Sequence, residues 1–137
     1  MKAYLTRRYK FPASHRLHSD ALSSEENISA YGKCNNPHGH GHNYALEVTV
    51  SGAVDPQTGM VCDLVSMDGI IHQEVVSVFD HSHLNSLPSF RDRVPTTENL
   101  GLVIYGILQQ KFTLANLEKV RLEETRKNAF EFGNLLR

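Results

Sequence analysis

The sequence predicts an α+β fold in which a four-stranded antiparallel sheet carries two helices on one face, in the order β-β-α-α-β-β. Three patterns predict it. Tyr44, Leu46, Val48 and Val50 alternate with polar residues, the period of a half-buried strand. Two apolar stripes at helical spacing run between Ser66 and Phe112. Two short strand-like segments near the C-terminus are separated by Arg126-Lys127-Asn128, which reads as a hairpin.

Lys2 to Leu17 is rich in Tyr, Phe and Thr and reads as the first strand, broken or bulged near Pro12. Ser19 to Asn36 is polar and reads as a loop or a short helical excursion. The second strand spans His42 to Gly52. Val54-Asp55-Pro56-Gln57-Thr58-Gly59 forms a turn, and Met60-Val61-Cys62-Asp63 starts a short return strand. In the first helix, Ser66 to Phe79, the stripe is Ile71, Val75, Val78 and Phe79. In the second, Thr97 to Phe112, it is Leu100, Val103, Ile104, Ile107 and Leu108. Pro95 with Thr96 or Thr97 starts that helix, and Glu98 suits the positive end of its dipole. Lys119 to Thr125 and Ala129 to Phe132 close the sheet. Val48, Val50, Leu122, Phe130 and Phe132 are assigned to the face without helices, where they are too apolar for water, so a homo-oligomer is expected.

The chain has no repeat, low-complexity tract or linker, and its 137 residues are read as a single domain, 1–137. A net charge of -1 provides no basic field for nucleic acid or an anionic membrane. No apolar run approaches the roughly 20 residues of a membrane span, and the N-terminus has no signal-like core. Two cysteines outside any CxxC pair make no disulfide framework, so a reducing cytoplasm is the expected location.

Function is therefore expected in a local site. His40-Gly41-His42 begins a strand, and residues two apart share a strand face, so both imidazoles reach one ion. A catalytic zinc takes three protein ligands and keeps a fourth position open. His15, on the neighbouring strand, is the best third ligand; His18 and His38 are alternatives. Cys34 lies in a polar loop, where a nearby divalent cation and Lys33 should lower its thiol pKa, and is read as a base or nucleophile, whereas Cys62 is read as structural. Asp80-His81 follows the first helix, either as an oriented acid–base pair or as a helix C-cap. Glu124 has the chemistry to grip the N–H edge of a heterocycle with two parallel hydrogen bonds, or to form a surface ion pair.

Several blocks in this order are similar to the signature of the 6-pyruvoyl-tetrahydropterin synthase family. They are Ala13-Ser14-His15-Arg16-Leu17, the run from Gly32 to Tyr44 that contains Cys34-Asn35-Asn36-Pro37 and His40-Gly41-His42, and Val54 to Val61. Asp80-His81, Pro95-Thr96-Thr97-Glu98-Asn99-Leu100 and Glu124-Thr125 complete the set. The resemblance implies the tunnelling fold, with sheets from three subunits joined into a barrel and two trimers stacked as a hexamer. It implies zinc on His15, His40 and His42, Cys34 as the proton-abstracting base, and Asp80 and His81 as a relay from the same or a neighbouring subunit. Glu124 would anchor the pterin, with Thr96, Thr97 and Glu98 close by. The implied reaction converts 7,8-dihydroneopterin triphosphate to 6-pyruvoyl-tetrahydropterin with loss of triphosphate. Arg16 and Lys33 are candidates for the triphosphate. The alternative is the 6-carboxy-tetrahydropterin synthase branch of the queuosine route, which releases acetaldehyde and commonly has a shorter cysteine-to-HGH spacer. A catalytically silent pterin- or zinc-binding module is a further alternative, opposed by the joint presence of Cys34, Asp80 and His81.

Overall fold

Two fourteen-residue strands, β1 (Lys2–His15) and β2 (His40–Ala53), pair antiparallel along their whole length, so that His15 lies opposite His40. The computed structural model describes residues 1–133. After β1 come a short helix α1 (Ser24–Tyr31) and a 3₁₀ turn, Gly32–Asn35. A reciprocal capping box between Ser23 and Glu26 starts α1 by satisfying two free backbone N–H groups. After β2 come α2 (Leu64–Ile71), a π-helical segment (His72–Val76) and α3 (Ser77–Phe79). The two-residue β3 (Ser82–His83), α4 (Thr97–Lys111), β4 (Asn116–Thr125) and β5 (Asn128–Gly133) complete the order.

The sheet order is β3-β1-β2-β4-β5. It differs from the expected four antiparallel strands because Ser82–His83 adds a fifth strand, parallel to β1. Two residues after a helix give no periodicity, so this edge strand left no pattern in the sequence. Beside it, β1 runs unbroken through Pro12. The Pro12 carbonyl accepts the His81 N–H at 2.7 Å, which turns that edge of the residue toward β3, so its missing N–H removes no bond from the β1–β2 ladder. The expected return strand at Met60–Asp63 is absent. Asp63 instead caps α2, accepting hydrogen bonds from the Ser66 backbone N–H and hydroxyl.

One sheet face is covered by the helices. Leu46, Val48, Val50, Val120 and Leu122 pack there with Met67, Ile71 and Phe79 and with Leu100, Ile104 and Leu108. Each fully buried leucine or isoleucine of this set contributes about 1.5–3 kcal/mol relative to exposure. Val48, Val50 and Leu122 therefore lie beneath the helices, and Phe132 packs against Gly101 of α4. Their expected position on the open face is overturned. That face instead carries an ion-pair ladder in which Glu47 meets Arg8 at 3.4 Å and Arg121 at 3.1 Å, and Lys119 meets Glu131 at 2.8 Å. The π segment also shifts the first helical stripe, so that Val76 is buried and Val78 is exposed.

Asp68 of α2 ties this layer to β1. Arg7 approaches its carboxylate with both Nε (3.1 Å) and Nη2 (2.6 Å), and the Tyr9 hydroxyl donates to it at 2.7 Å. Among the described residues no helix is long and apolar enough to cross a membrane.

Candidate active site

Strand alternation turns His15, His40 and His42 to the helix-covered face at one end of the β1–β2 pair. Their ring centroids lie 4.7 Å (His15–His40), 5.0 Å (His15–His42) and 4.7 Å (His40–His42) apart. His15 is fully buried. Its Nδ1 donates to the Pro95 carbonyl at 2.8 Å, which fixes the tautomer and leaves the Nε2 lone pair facing the cluster. That Nε2 lies 3.2 Å from His40 Nε2. Two groups of possible metal donors, each within 4.8 Å, share His15: one is His15, Cys34 and His40, the other His15, His42 and Glu124.

A cation fits this donor set. Among the described residues, His40 Nδ1 and His42 Nε2 are buried without a hydrogen-bond partner, an arrangement costly for a protein that uses them only for packing. Burial, and then the His42 imidazole, hold the His40 pKa below its ordinary value; burial also lowers that of His15 more than the Pro95 hydrogen bond raises it. Neutral imidazole is the form that binds metal.

Glu124 stands across the cluster, its Oε2 3.8 Å from both His15 Nε2 and His42 Nε2. Thr97 donates its hydroxyl to Oε2, and the Asn128 amide donates to Oε1 at 3.3 Å. Burial alone would raise this carboxyl's pKa, but these hydrogen bonds, with His42 and His15 behind them, hold it below the ordinary range. Thr96 caps α4 through the Asn99 N–H, while Glu98 is exposed in the first turn. The sequence singled out all four residues; here Thr97 touches Glu124 directly and Thr96 sets the start of its helix.

Cys34 reaches the cluster from the 3₁₀ turn, and its carbonyl accepts the Leu17 N–H at 2.7 Å. Partial burial, followed by Glu124, pushes its thiol pKa upward, so the lowering expected from the sequence depends on the divalent cation that the expectation included. Lys33 is exposed and makes no ion pair among the described residues, so its charge does not counter this.

Residues 4–134 match the family profile described as 6-pyruvoyl tetrahydropterin synthase. The chain belongs to the 6-pyruvoyl tetrahydropterin synthase family. The 6-pyruvoyl tetrahydrobiopterin synthase of Homo sapiens is 45% identical over 128 residues, covering 93% of this chain and 88% of that protein. The structure of Caenorhabditis elegans 6-pyruvoyl tetrahydropterin synthase matches with a TM-score of 0.92 at 38% identity, covering 98% and 96% of the two chains. A putative 6-carboxy-5,6,7,8-tetrahydropterin synthase of Archaeoglobus fulgidus is 37% identical over 106 residues, covering 77% and 84%.

In this family member His81 lines a cavity of about 350 Å³ together with Gly41 and His42, but among the described residues the Asp80–His81 pair makes no bond to the cluster. The Asp80 carboxylate meets His81 Nδ1 at 3.0 Å, but the His81 side chain is 79% exposed at the β3 edge. Among the described residues no hydrogen bond or ion pair joins it to Cys34, Glu124 or the three imidazoles. His81 is also the sole non-glycine residue with positive φ among them (56°), a strained conformation of the kind that gathers at functional sites. His18 and His38 take no place in the cluster. His18 meets Asn35 and Asp20, and His38 is exposed.

Pro95, read from the sequence as a helix start, and Tyr44, read as a strand residue, also belong to the site. The Tyr44 hydroxyl lies 3.4 Å from His15 Nδ1. Its place two residues beyond His42 on one strand face could have drawn notice, whereas the Pro95 contact spans 80 residues and left no local signal.

Proposed function

We propose that this chain is a zinc-dependent lyase that converts 7,8-dihydroneopterin triphosphate to 6-pyruvoyl-tetrahydropterin with elimination of triphosphate. The observation that carries the reading is the convergence of three imidazoles, a thiol and a hydrogen-bonded carboxylate in one buried corner, in a chain 45% identical to a 6-pyruvoyl tetrahydrobiopterin synthase. His15, His40 and His42 hold zinc, which when bound supplies Lewis-acid polarisation of the oxygens on the substrate side chain. Glu124, steadied by Thr97 and Asn128, accepts two N–H bonds from the pterin and fixes its distance from the cluster. Thr96 and Glu98 flank that edge.

Cys34 takes the carbon-bound proton. Its own surroundings raise its pKa, so the thiolate needs an opposing charge, and a divalent cation beside His15 and His40 supplies one. Asp80 orients His81 through Nδ1 and leaves Nε2 to exchange a proton with the substrate side chain. Because no hydrogen bond or ion pair joins His81 to Cys34 among the described residues of one protomer, this step belongs to a site shared between subunits, in keeping with a barrel of three sheets and a homo-hexamer of two such trimers. The chain functions as one domain over 1–137, in the cytoplasm, on a small-molecule pterin, with no nucleic-acid or membrane partner.

The six-position step from Cys34 to His40 favours the pyruvoyl branch over the carboxy branch. Mass spectrometry of the products made by zinc-loaded protein from dihydroneopterin triphosphate tests this. A 6-pyruvoyl product with free triphosphate is expected. A 6-carboxy product with acetaldehyde would move the chain to the other branch, and an absence of turnover would favour a silent binding module.

A further inference from the structure

His81 holds a left-handed backbone conformation (φ 56°) on an exposed turn. A residue with a side chain keeps that conformation only where its surroundings over-determine it. The turn opens at the end of α3, where the Asp80 N–H donates to the Val76 carbonyl at 2.8 Å. Beyond it the chain is held by contacts to β1 and its next residue, Arg16, made by every second residue on both sides. The His81 N–H donates to the Pro12 carbonyl at 2.7 Å. Two positions on, the Ser14 hydroxyl and His83 Nδ1 lie 2.9 Å apart in a hydrogen bond. After two more, Asn85 accepts the Arg16 N–H and donates to the Arg16 carbonyl, both at 2.8 Å.

The middle contact is the one that also reaches β2. A methyl group on Gly39 would lie 3.1 Å from His83 Cε1 and 3.2 Å from the His15 carbonyl oxygen. Gly39 directly precedes His40 and has φ 73°, so a glycine there suits both the backbone and the close approach of the His83 ring. His83 therefore ties the turn that carries His81 to the strand of His15 and abuts the start of the strand of His40. It belongs to neither group of possible metal donors. Ser14, His42 and His81 line the same cavity of about 350 Å³, so a slip of β3 along β1 would move His81 across the cavity wall.

We infer that His83, through its hydrogen bond to Ser14, is a positioning residue that holds the strained His81 in register with the strands bearing His15 and His40. This inference rests on the proposed role of His81 for its effect on turnover, and on geometry alone for its effect on the turn.

The test combines backbone amide exchange, zinc content and steady-state kinetics on the zinc-loaded full chain. The Ser14–His83 bond is exposed, so its removal leaves the core intact. In His83→Ala the His81 amide should exchange about ten-fold faster, and kcat for dihydroneopterin triphosphate should fall about ten-fold, the upper range for one lost hydrogen bond. KM and zinc content should stay as in the wild type, since the change is felt at the reacting step. His83→Asn should restore both quantities, because its amide is bonded to Cγ as Nδ1 is. Ser14→Ala should match His83→Ala, and the double variant should be no worse than either. Unchanged His81 exchange in His83→Ala would overturn the inference. So would faster exchange with unchanged kcat, loss of zinc, additive effects in the double variant, or an asparagine variant as impaired as the alanine one. Faster exchange in His83→Ala, with no pyruvoyl product formed even by the wild type, would uphold the clamp and overturn the reaction.

Discussion

At Glu124 two hydrogen-bond donors and two imidazoles converge on one carboxylate, and their combined pull outweighs burial. The group is therefore ionised at neutral pH and ready to accept rather than donate. Glu124→Gln replaces one acceptor oxygen by a donor. We expect its KM for dihydroneopterin triphosphate to rise about 10–100-fold, the scale of a lost charge-assisted contact, with zinc content preserved. An unchanged KM in steady-state kinetics would remove Glu124 from pterin binding. At this scale the sequence was legible where chemistry is local: His40 and His42 two apart on a strand, and Asp80 beside His81. It was not legible where a partner comes from far along the chain. The carbonyl that orients His15 lies 80 positions away, and the upward push on Cys34 comes from burial and from Glu124, neither visible in the loop that contains it.

Among the elements, the long strands and α4 were readable because many residues repeat one period. The edge strand β3 has too few residues to carry a period, and the π segment at His72–Val76 changed the phase of a helix whose stripe had looked regular. The contact that locks this helix onto the sheet, Asp68 with Arg7 and Tyr9, is also absent from any single-element pattern. Hydrogen bonds from Arg7 and then Tyr9 lower the pKa of Asp68 below its model-compound value of 3.8. A depressed carboxyl contributes stability above the unfolded-state value and loses it as pH falls through the folded one. Asp68→Ala should therefore lower the urea midpoint at pH 7, and the deficit should shrink at pH 3. The side chains are about one-third exposed, so the effect is modest and weakens with salt. An equal deficit at both pH values would show that the pair acts through packing and not charge.

For the whole molecule, Val48, Val50 and Leu122, expected on the open face, belong to the intramolecular core, and the open face carries ion pairs. The case for assembly comes instead from His81, exposed and strained at the β3 edge and without a bond to Cys34 among the described residues. If each site combines Cys34 of one subunit with His81 of another, inactive Cys34→Ala and His81→Ala chains should complement each other. Refolded together in equal amounts they should recover about a quarter of wild-type activity, the fraction of sites that random assembly leaves intact. No recovery in mixed oligomers verified by native mass spectrometry would place both residues in one subunit's site. The central claim is narrower: three imidazoles hold the metal, and Cys34 moves a proton without holding it, although its sulfur lies as close to His15 and His40 as a ligand would. The most direct test is the zinc-to-protein ratio of Cys34→Ala measured alongside its turnover. A full zinc equivalent with turnover abolished is the predicted result; loss of zinc, or surviving turnover, would contradict it.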